Sequence, residues 1–212
     1  MRTLTVRKAV EDDLAQVVRV RVDSWRAAYA GLVPPAYLDG LDPEAALPRM
    51  KEYLATIPDR DHFLVVEAEH PAQVVGFVLA GPERPSVAVA SGVREGLGEV
   101  HALYVHPDAW FTGAGARLLT AATEALATDG HAELTLWVLE ENHQARRFYE
   151  RQGWQPDGGR TDLQLAGALL QELRYSRTVA GPAAPAVPMG VSVPVGVTPP
   201  AGVSVPQPRA GA

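Results

Sequence analysis

The chain has 212 residues, 47% of them hydrophobic and 21% charged, enough for one ordinary domain with a sizeable core. It contains no cysteine, which excludes disulfides, Cys-ligated zinc, iron–sulfur clusters and any covalent mechanism through a thiol. A formal net charge of −6 argues against broad nucleic-acid binding and suits cationic partners. No apolar run approaches the roughly 18–20 residues of a membrane span, and the opening MRTLTVRKAVEDD lacks the apolar stretch of a signal peptide. A soluble, cytoplasmic protein with neither a membrane nor a nucleic-acid partner is expected.

Leu4–Val6 begins the chain as a short strand. Leu14, Val17, Val18, Arg21, Val22, Trp25 and Tyr29 then recur at helical spacing behind the acidic Glu11-Asp12-Asp13, and Gly31 with Pro34-Pro35 stops that helix. Asp42-Pro43-Glu44 reads as an N-cap with proline at the first helical position, opening a second helix toward Ile57 that Pro48 should kink or delay. Strands at Phe63–Ala68 and Val74–Ala80 flank a turn at His70-Pro71, and a Gly/Pro/Ser-containing loop over 81–98 leads to a strand at Glu99–Val105. A helix follows Gly115 through Leu118, Leu119, Ala122 and Leu126 to Gly130. Glu133–Leu139 is a strand, Asn142–Gln152 a helix closed by Gly153, and Leu163–Leu165 and Leu169–Val179 are the last strands. This α/β arrangement of about seven strands and four helices needs at least one parallel pairing.

From Gly181 to Ala212 the composition changes. Eight of the 18 prolines and five of the 19 glycines fall there, and Gly-Val-Ser-Val-Pro occurs at both 190–194 and 202–206. An extended, flexible tail is expected, separate from a folded domain over 1–180. Two P-x-x-P matches, Pro182–Pro185 and Pro185–Pro188, leave the tail open to a protein partner.

Two strand–helix junctions carry the chemistry. At the first, Gly113-Ala114-Gly115 opens a helix, where small residues and the helix N-terminus suit an anion such as a pyrophosphate. Neither a Walker loop nor a dinucleotide fingerprint is present, because no G-K-[ST] follows and a third glycine is missing. At the second, Asn142 ends a strand where it can cap the next helix or offer its amide to a ligand, and Tyr149 lies two turns along the same face.

With these residues in view, the chain resembles the GNAT superfamily of acyl-CoA-dependent N-acyltransferases. That family's signature Q/R-x-x-G-x-G/A, after a strand with V-x-P, is matched by Val105-His106-Pro107 and by Trp110, Gly113 and Gly115. Its N-x-x-[AS]-x-x-[FL]-Y-x-x-x-G-[FYW] is matched by Asn142, Ala145, Phe148, Tyr149, Gly153 and Trp154. The resemblance spans residues 3–179 and implies a mixed, mostly antiparallel sheet of six to seven strands flanked by about four helices. A splayed parallel strand pair would form the coenzyme A site. Trp110 stands where the family keeps Gln or Arg, so phosphate contact would rest on Thr112, Gly113, Ala114, Gly115 and Ala116.

The resemblance further implies acetyl-CoA as cosubstrate, its pantetheine arm held by the backbone of Leu103, Tyr104 and Val105. A small-molecule or peptide amine would be the acceptor, and a homodimer is left open. Without cysteine, direct attack of the amine on the thioester is the economical path, and the ammonium, with a pKa of about 10, must first lose a proton. Glu99 matches the position of a carboxylate that acts through water in many members, with a solvated strand-start charge as the alternative reading; His101 is another base or relay. Tyr149 would protonate the departing thiolate and Asn142 would hold the cofactor or a water. The acceptor is expected near Trp25, Tyr29, Leu32-Val33 and the 81–98 loop. Two readings of other classes stand beside this one: an acyl-CoA sensor without turnover, and an interaction protein acting through its proline-rich tail.

Overall fold

The computed structural model describes residues 3–69, 72–84 and 96–179. The turn expected at His70-Pro71, the interior of the 81–98 loop and the tail over 181–212 lie outside the described residues.

Among the described residues, seven strands and five α-helices follow in the order β1 (Leu4–Lys8), α1 (Leu14–Ala28), α2 (Pro35–Asp39), α3 (Pro43–Ala55), β2 (His62–Glu69), β3 (Ala72–Pro82), β4 (Gly98–Val105), α4 (Ala114–Thr128), β5 (Glu133–Leu139), α5 (His143–Arg151), β6 (Gln155–Leu165) and β7 (Ala168–Thr178). The strands form one sheet in the order β1-β2-β3-β4-β5-β7-β6. All neighbours are antiparallel except β4 and β5, which run parallel and pair only from Gly98 to Val100 against Leu134 to Leu136. Beyond Val100 the two strands part.

Three elements depart from the sequence expectation. Pro34-Pro35 does not merely stop a helix: Pro35 occupies the first turn of α2, where its missing N–H has no intrahelical partner to lose. The helix after Asp42 starts at Pro43 and continues past Pro48 without delay, its N-terminus capped by Asp42 Oδ1 accepting from Glu44 N at 2.8 Å. The penultimate strand begins at Gln155 rather than Leu163. Its Pro-Asp-Gly-Gly stretch reads as breaker, yet β6 is the sheet's outer edge, where proline and a register shift between Pro156 and Arg160 are tolerated.

One face of the sheet packs on α4 through Leu118, Leu119, Ala122 and Leu126, joined by Trp154 and Tyr175. The other carries Phe63, Val65 and Phe77 under α1 and α3, with Trp25, Val33, Tyr37 and Leu165 as a separate cluster near α2. Helices α1 and α4 thus bury one apolar face each against opposite sides of the sheet. Where β3 passes β4, Gly76 permits a close approach: a Cβ there would stand 2.8 Å from the Tyr104 carbonyl oxygen. The β3–β4 register steps from Leu79–Ala102 to Ala80–Val100, leaving His101 as the extra residue of a bulge.

Candidate active site

The parting of β4 and β5 opens a cavity of about 780 Å³. One end is walled by β4, the α4 N-terminus and α5; the other reaches Trp25 of α1, Tyr29 at its C-cap, and Thr161, Leu163, Leu165 and Glu172 of β6 and β7. Both signature segments therefore meet in one space.

On β4, His106 N–H pairs with Val75 O at 2.8 Å, so by strand alternation Tyr104 also turns its backbone toward β3, opposite Phe77. Leu103 and Val105 turn theirs toward the gap. The Val105 carbonyl is already taken by Ser24 Oγ and Trp110 Nε1, each at 2.8 Å. That leaves Leu103 and the Val105 N–H for a ligand's amides. Tyr104 lines the cavity as well, with its backbone turned toward β3.

At the α4 N-terminus, Gly113 has φ +94° and the first intrahelical bond runs from Arg117 N to Gly113 O. The amides of Ala114, Gly115 and Ala116 therefore have no intrahelical acceptor, the arrangement of a cradle in which a helix N-terminus can take an anion. Thr112 fits it less well than the sequence suggests. Its hydroxyl donates to Ala109 O at 2.7 Å and its amide to the same oxygen at 3.4 Å. Trp110 is tied back to β4 and brings no charge to the cradle.

Helix α5 presents Asn142 and Tyr149. Asn142 Oδ1 accepts from Ala145 N at 3.1 Å, so the residue caps the helix while lining the cavity. At the other end, Trp154 N donates to Tyr149 O and Gly153 N to Glu150 O, a paired helix stop made possible by Gly153 at φ +82°. Tyr149 is buried between Phe148 and Tyr175 and also lines the cavity. Burial first, and Tyr104 second, push its phenol well above the ordinary value, so it carries its proton across the working pH range.

Glu99 is not a solvated strand-start charge: it is 2% exposed. Arg84 holds it twice, guanidinium to Oε1 at 2.7 Å and backbone N–H to Oε2 at 2.8 Å. His101 Nε2 stands 3.1 Å from Pro82 O, and because a carbonyl only accepts, that nitrogen carries the proton and Nδ1 keeps its lone pair. Burial, then Arg84, lower the imidazole's pKa and keep it neutral.

Two residues that sequence reasoning missed belong to this cavity. Arg84 sits in an aperiodic Gly/Pro stretch with no local signal. Glu172 sits within a strand where alternation marks its face but not what that face meets. Of the expected acceptor-side residues, Trp25 and Tyr29 line the cavity, whereas Leu32 and Val33 do not.

Residues 22–154 match the Acetyltransferase (GNAT) family. The uncharacterized N-acetyltransferase YuaI of Bacillus subtilis is 31% identical over 173 residues, covering 80% of this chain and 90% of its own. An uncharacterized N-acetyltransferase of Archaeoglobus fulgidus is 34% identical over 149 residues, covering 70% and 91%. The same fold occurs in the PaiA N-acetyltransferase of Thermoplasma acidophilum, solved in complex with coenzyme A, with a TM-score of 0.62 at 19% identity over 84% of this chain and 99% of that one. It occurs again in yncA of Salmonella typhimurium, solved with acetyl-CoA, with a TM-score of 0.59 at 20% identity over 86% and 98%. A family match across well over half of the chain, two relatives of this extent and a cavity built from both signature segments lead to one conclusion: the chain belongs to the GNAT family and is an acetyltransferase.

Proposed function

We propose that this protein moves the acetyl group of acetyl-CoA directly to the amine of a small molecule or peptide in the cytoplasm, within a catalytic domain over residues 1–180. The observation that carries the reading is the single cavity joining the Leu103–Val105 edge, the α4 amide cradle and the buried Tyr149. The cradle suits a pyrophosphate, and the free Leu103 and Val105 backbone groups suit the amides of a pantetheine arm. When bound, acetyl-CoA supplies an activated acyl carbon.

The amine nitrogen, once deprotonated, attacks that carbon and the carbon–sulfur bond breaks. Tyr149 gives its phenolic proton to the sulfur and regains one from the amide nitrogen as it forms. A backbone N–H of β4 aimed at the carbonyl oxygen would favour the charge that develops there. Asn142 borders the same space while its Oδ1 secures the first turn of α5. Glu99, the carboxylate expected as base, has both oxygens engaged by Arg84, so its part is to hold Arg84 against β4 unless a water relays through that pair. His101, neutral with Nδ1 free, is the relay of that arrangement.

Acetyl-CoA consumption against a panel of primary amines tests the reading. Turnover of at least one amine is expected; tight coenzyme A binding with no amine turned over would favour a sensor. Gly113→Glu tests the cradle. A side chain at φ +94° is strained, and a carboxylate at the helix N-terminus repels phosphate, so coenzyme A affinity should fall at least about tenfold by calorimetry. Unchanged affinity would place the phosphates elsewhere.

A further inference from the structure

The cavity's acceptor half contains an ionisable group that the foregoing mechanism does not use. Glu172 is set on β7 by its pairing with Leu139 of β5 and Thr161 of β6, and all three residues face the cavity. Its carboxylate makes no hydrogen bond or ion pair to any described residue. Around it stand Tyr29 just past α1, Arg84 after β3 and Glu99 from β4, each acting on it or feeling it through space. Arg174, two residues along the same strand, is committed to Asp157 at 2.7 Å and to Glu83 at 3.7 Å. His101 lines the same cavity and is neutral.

The comparison with Glu99 decides which carboxylate is available. Glu99 lies buried under two bonds from one arginine, while Glu172 is half-buried, unpartnered and turned into the cavity. Tyr29, Tyr104, Tyr149 and Glu172 all line the one cavity, which puts this carboxylate and the proton-donating phenol in the same space. Trp25, Tyr29, Tyr104, Leu163 and Leu165 supply the remaining wall, aromatic and aliphatic. Arg84, the cation of that wall, is already neutralised by Glu99, so the acceptor half offers a lone anion and an apolar surface.

Resting on the acetyltransferase reading, we infer that Glu172 receives the acceptor's ammonium and takes its proton, and that the acceptor is a primary alkyl- or arylalkylammonium without a carboxylate beside the amine. The ammonium gives one proton to the Glu172 carboxylate, and the freed lone pair forms the new carbon–nitrogen bond as the carbon–sulfur bond breaks. The second nitrogen proton returns to Tyr149, which has protonated the sulfur, and Glu172 releases its proton to solvent. Atoms and charge balance as ammonium plus thioester giving amide, thiol and one released proton.

Burial, opposed by Arg84 and reinforced by Glu99, raises the Glu172 pKa. The acid limb of kcat/KM should therefore lie above the usual carboxylate range, since protonated Glu172 cannot accept.

The test uses the full chain saturated with coenzyme A or acetyl-CoA, with phenethylamine, hexylamine and phenylalanine as probes. By calorimetry, the coenzyme A complex should bind phenethylamine and hexylamine but not phenylalanine. Glu172→Gln should weaken the two amines about tenfold or more while leaving coenzyme A affinity unchanged. In turnover, Glu172→Gln should lower kcat/KM about 10²-fold and abolish the acid limb, Glu172→Asp should restore part of it, and Glu99→Gln should keep the limb but move it to lower pH, because it removes the charge that raises Glu172 and frees Arg84. Melting gives an independent sign. A carboxyl whose folded pKa is raised costs stability once ionised, so Glu172→Gln should melt higher at neutral pH, and the gain should fade as pH falls below the ordinary carboxylate value. A merely structural Glu172 would give a lower melting point instead.

The proposal falls if neither amine binds the wild-type complex, if phenylalanine binds best, or if Glu172→Gln keeps wild-type binding and pH profile. Glu172-dependent binding without any acetylated product would support the ammonium site and overturn the proton transfer together with the transferase reading.

Discussion

Tyr149→Phe should lower kcat about 10²–10⁴-fold at saturating acetyl-CoA, the range that a positioned general acid contributes. The variant removes one oxygen and keeps the ring packed between Phe148 and Tyr175. The KM for acetyl-CoA should stay within about threefold, a margin of less than one kcal/mol, because the cradle amides and the β4 edge are untouched. The hydroxyl is deeply buried and its ionisation strongly disfavoured, so no fall in activity from phenol deprotonation is expected in the wild type at moderately alkaline pH. Steady-state rates of both proteins against pH check this. A Phe variant with a kcat within threefold of wild type would remove Tyr149 from the proton path and hand sulfur protonation to water.

The second large effect concerns stability. Trp154 is wholly buried and follows the glycine that stops α5. Its backbone N–H holds the Tyr149 carbonyl at 3.1 Å, and its ring joins the cluster under α4. Trp154→Ala should cost about 3–5 kcal/mol, the usual penalty for emptying a large aromatic site. Its indole nitrogen has no partner among the described residues, so Trp154→Phe sacrifices no hydrogen bond and should cost much less. Denaturant unfolding of the three proteins separates the two. If the alanine variant is as stable as wild type, the α5 stop is held by backbone geometry alone.

The contrast between what the sequence discloses and what it conceals follows from range. Gly113 and Gly153 are legible because a positive φ leaves glycine few substitutes. Asn142, Phe148 and Tyr149 are legible because one short helix fixes their relative positions. Strands β2 to β5 declare themselves through β-branched, apolar runs. The eleven residues of β6 conceal themselves, since an edge strand can contain Pro156 and Gly158-Gly159 that a central strand could not.

Glu172 and Arg84 lie deeper still. Each is brought to the cavity by sheet register, Glu172 across from Leu139 and Thr161, and Arg84 just past the end of β3. Register is a property of paired segments far apart in the chain, so no local pattern announces it. The same holds for Glu99. Its strand-start position is readable, but its burial depends on an arginine fifteen residues earlier. Thr112 shows the converse, a residue whose position is readable but whose bonds to its own turn are not.

The β4–β5 joint has a mechanical meaning of its own. Four antiparallel strands lie on one side of it and three on the other, and three residue pairs bridge them. The sheet is continuous in its strand order yet nearly severed in its backbone bonding, so its halves are candidates for separate cooperative units, opening at different free energies. Anything lodged in the gap adds bonds where the sheet has fewest. Occupancy of the site would then fuse the two units, and amide exchange on both sides of the seam would slow together.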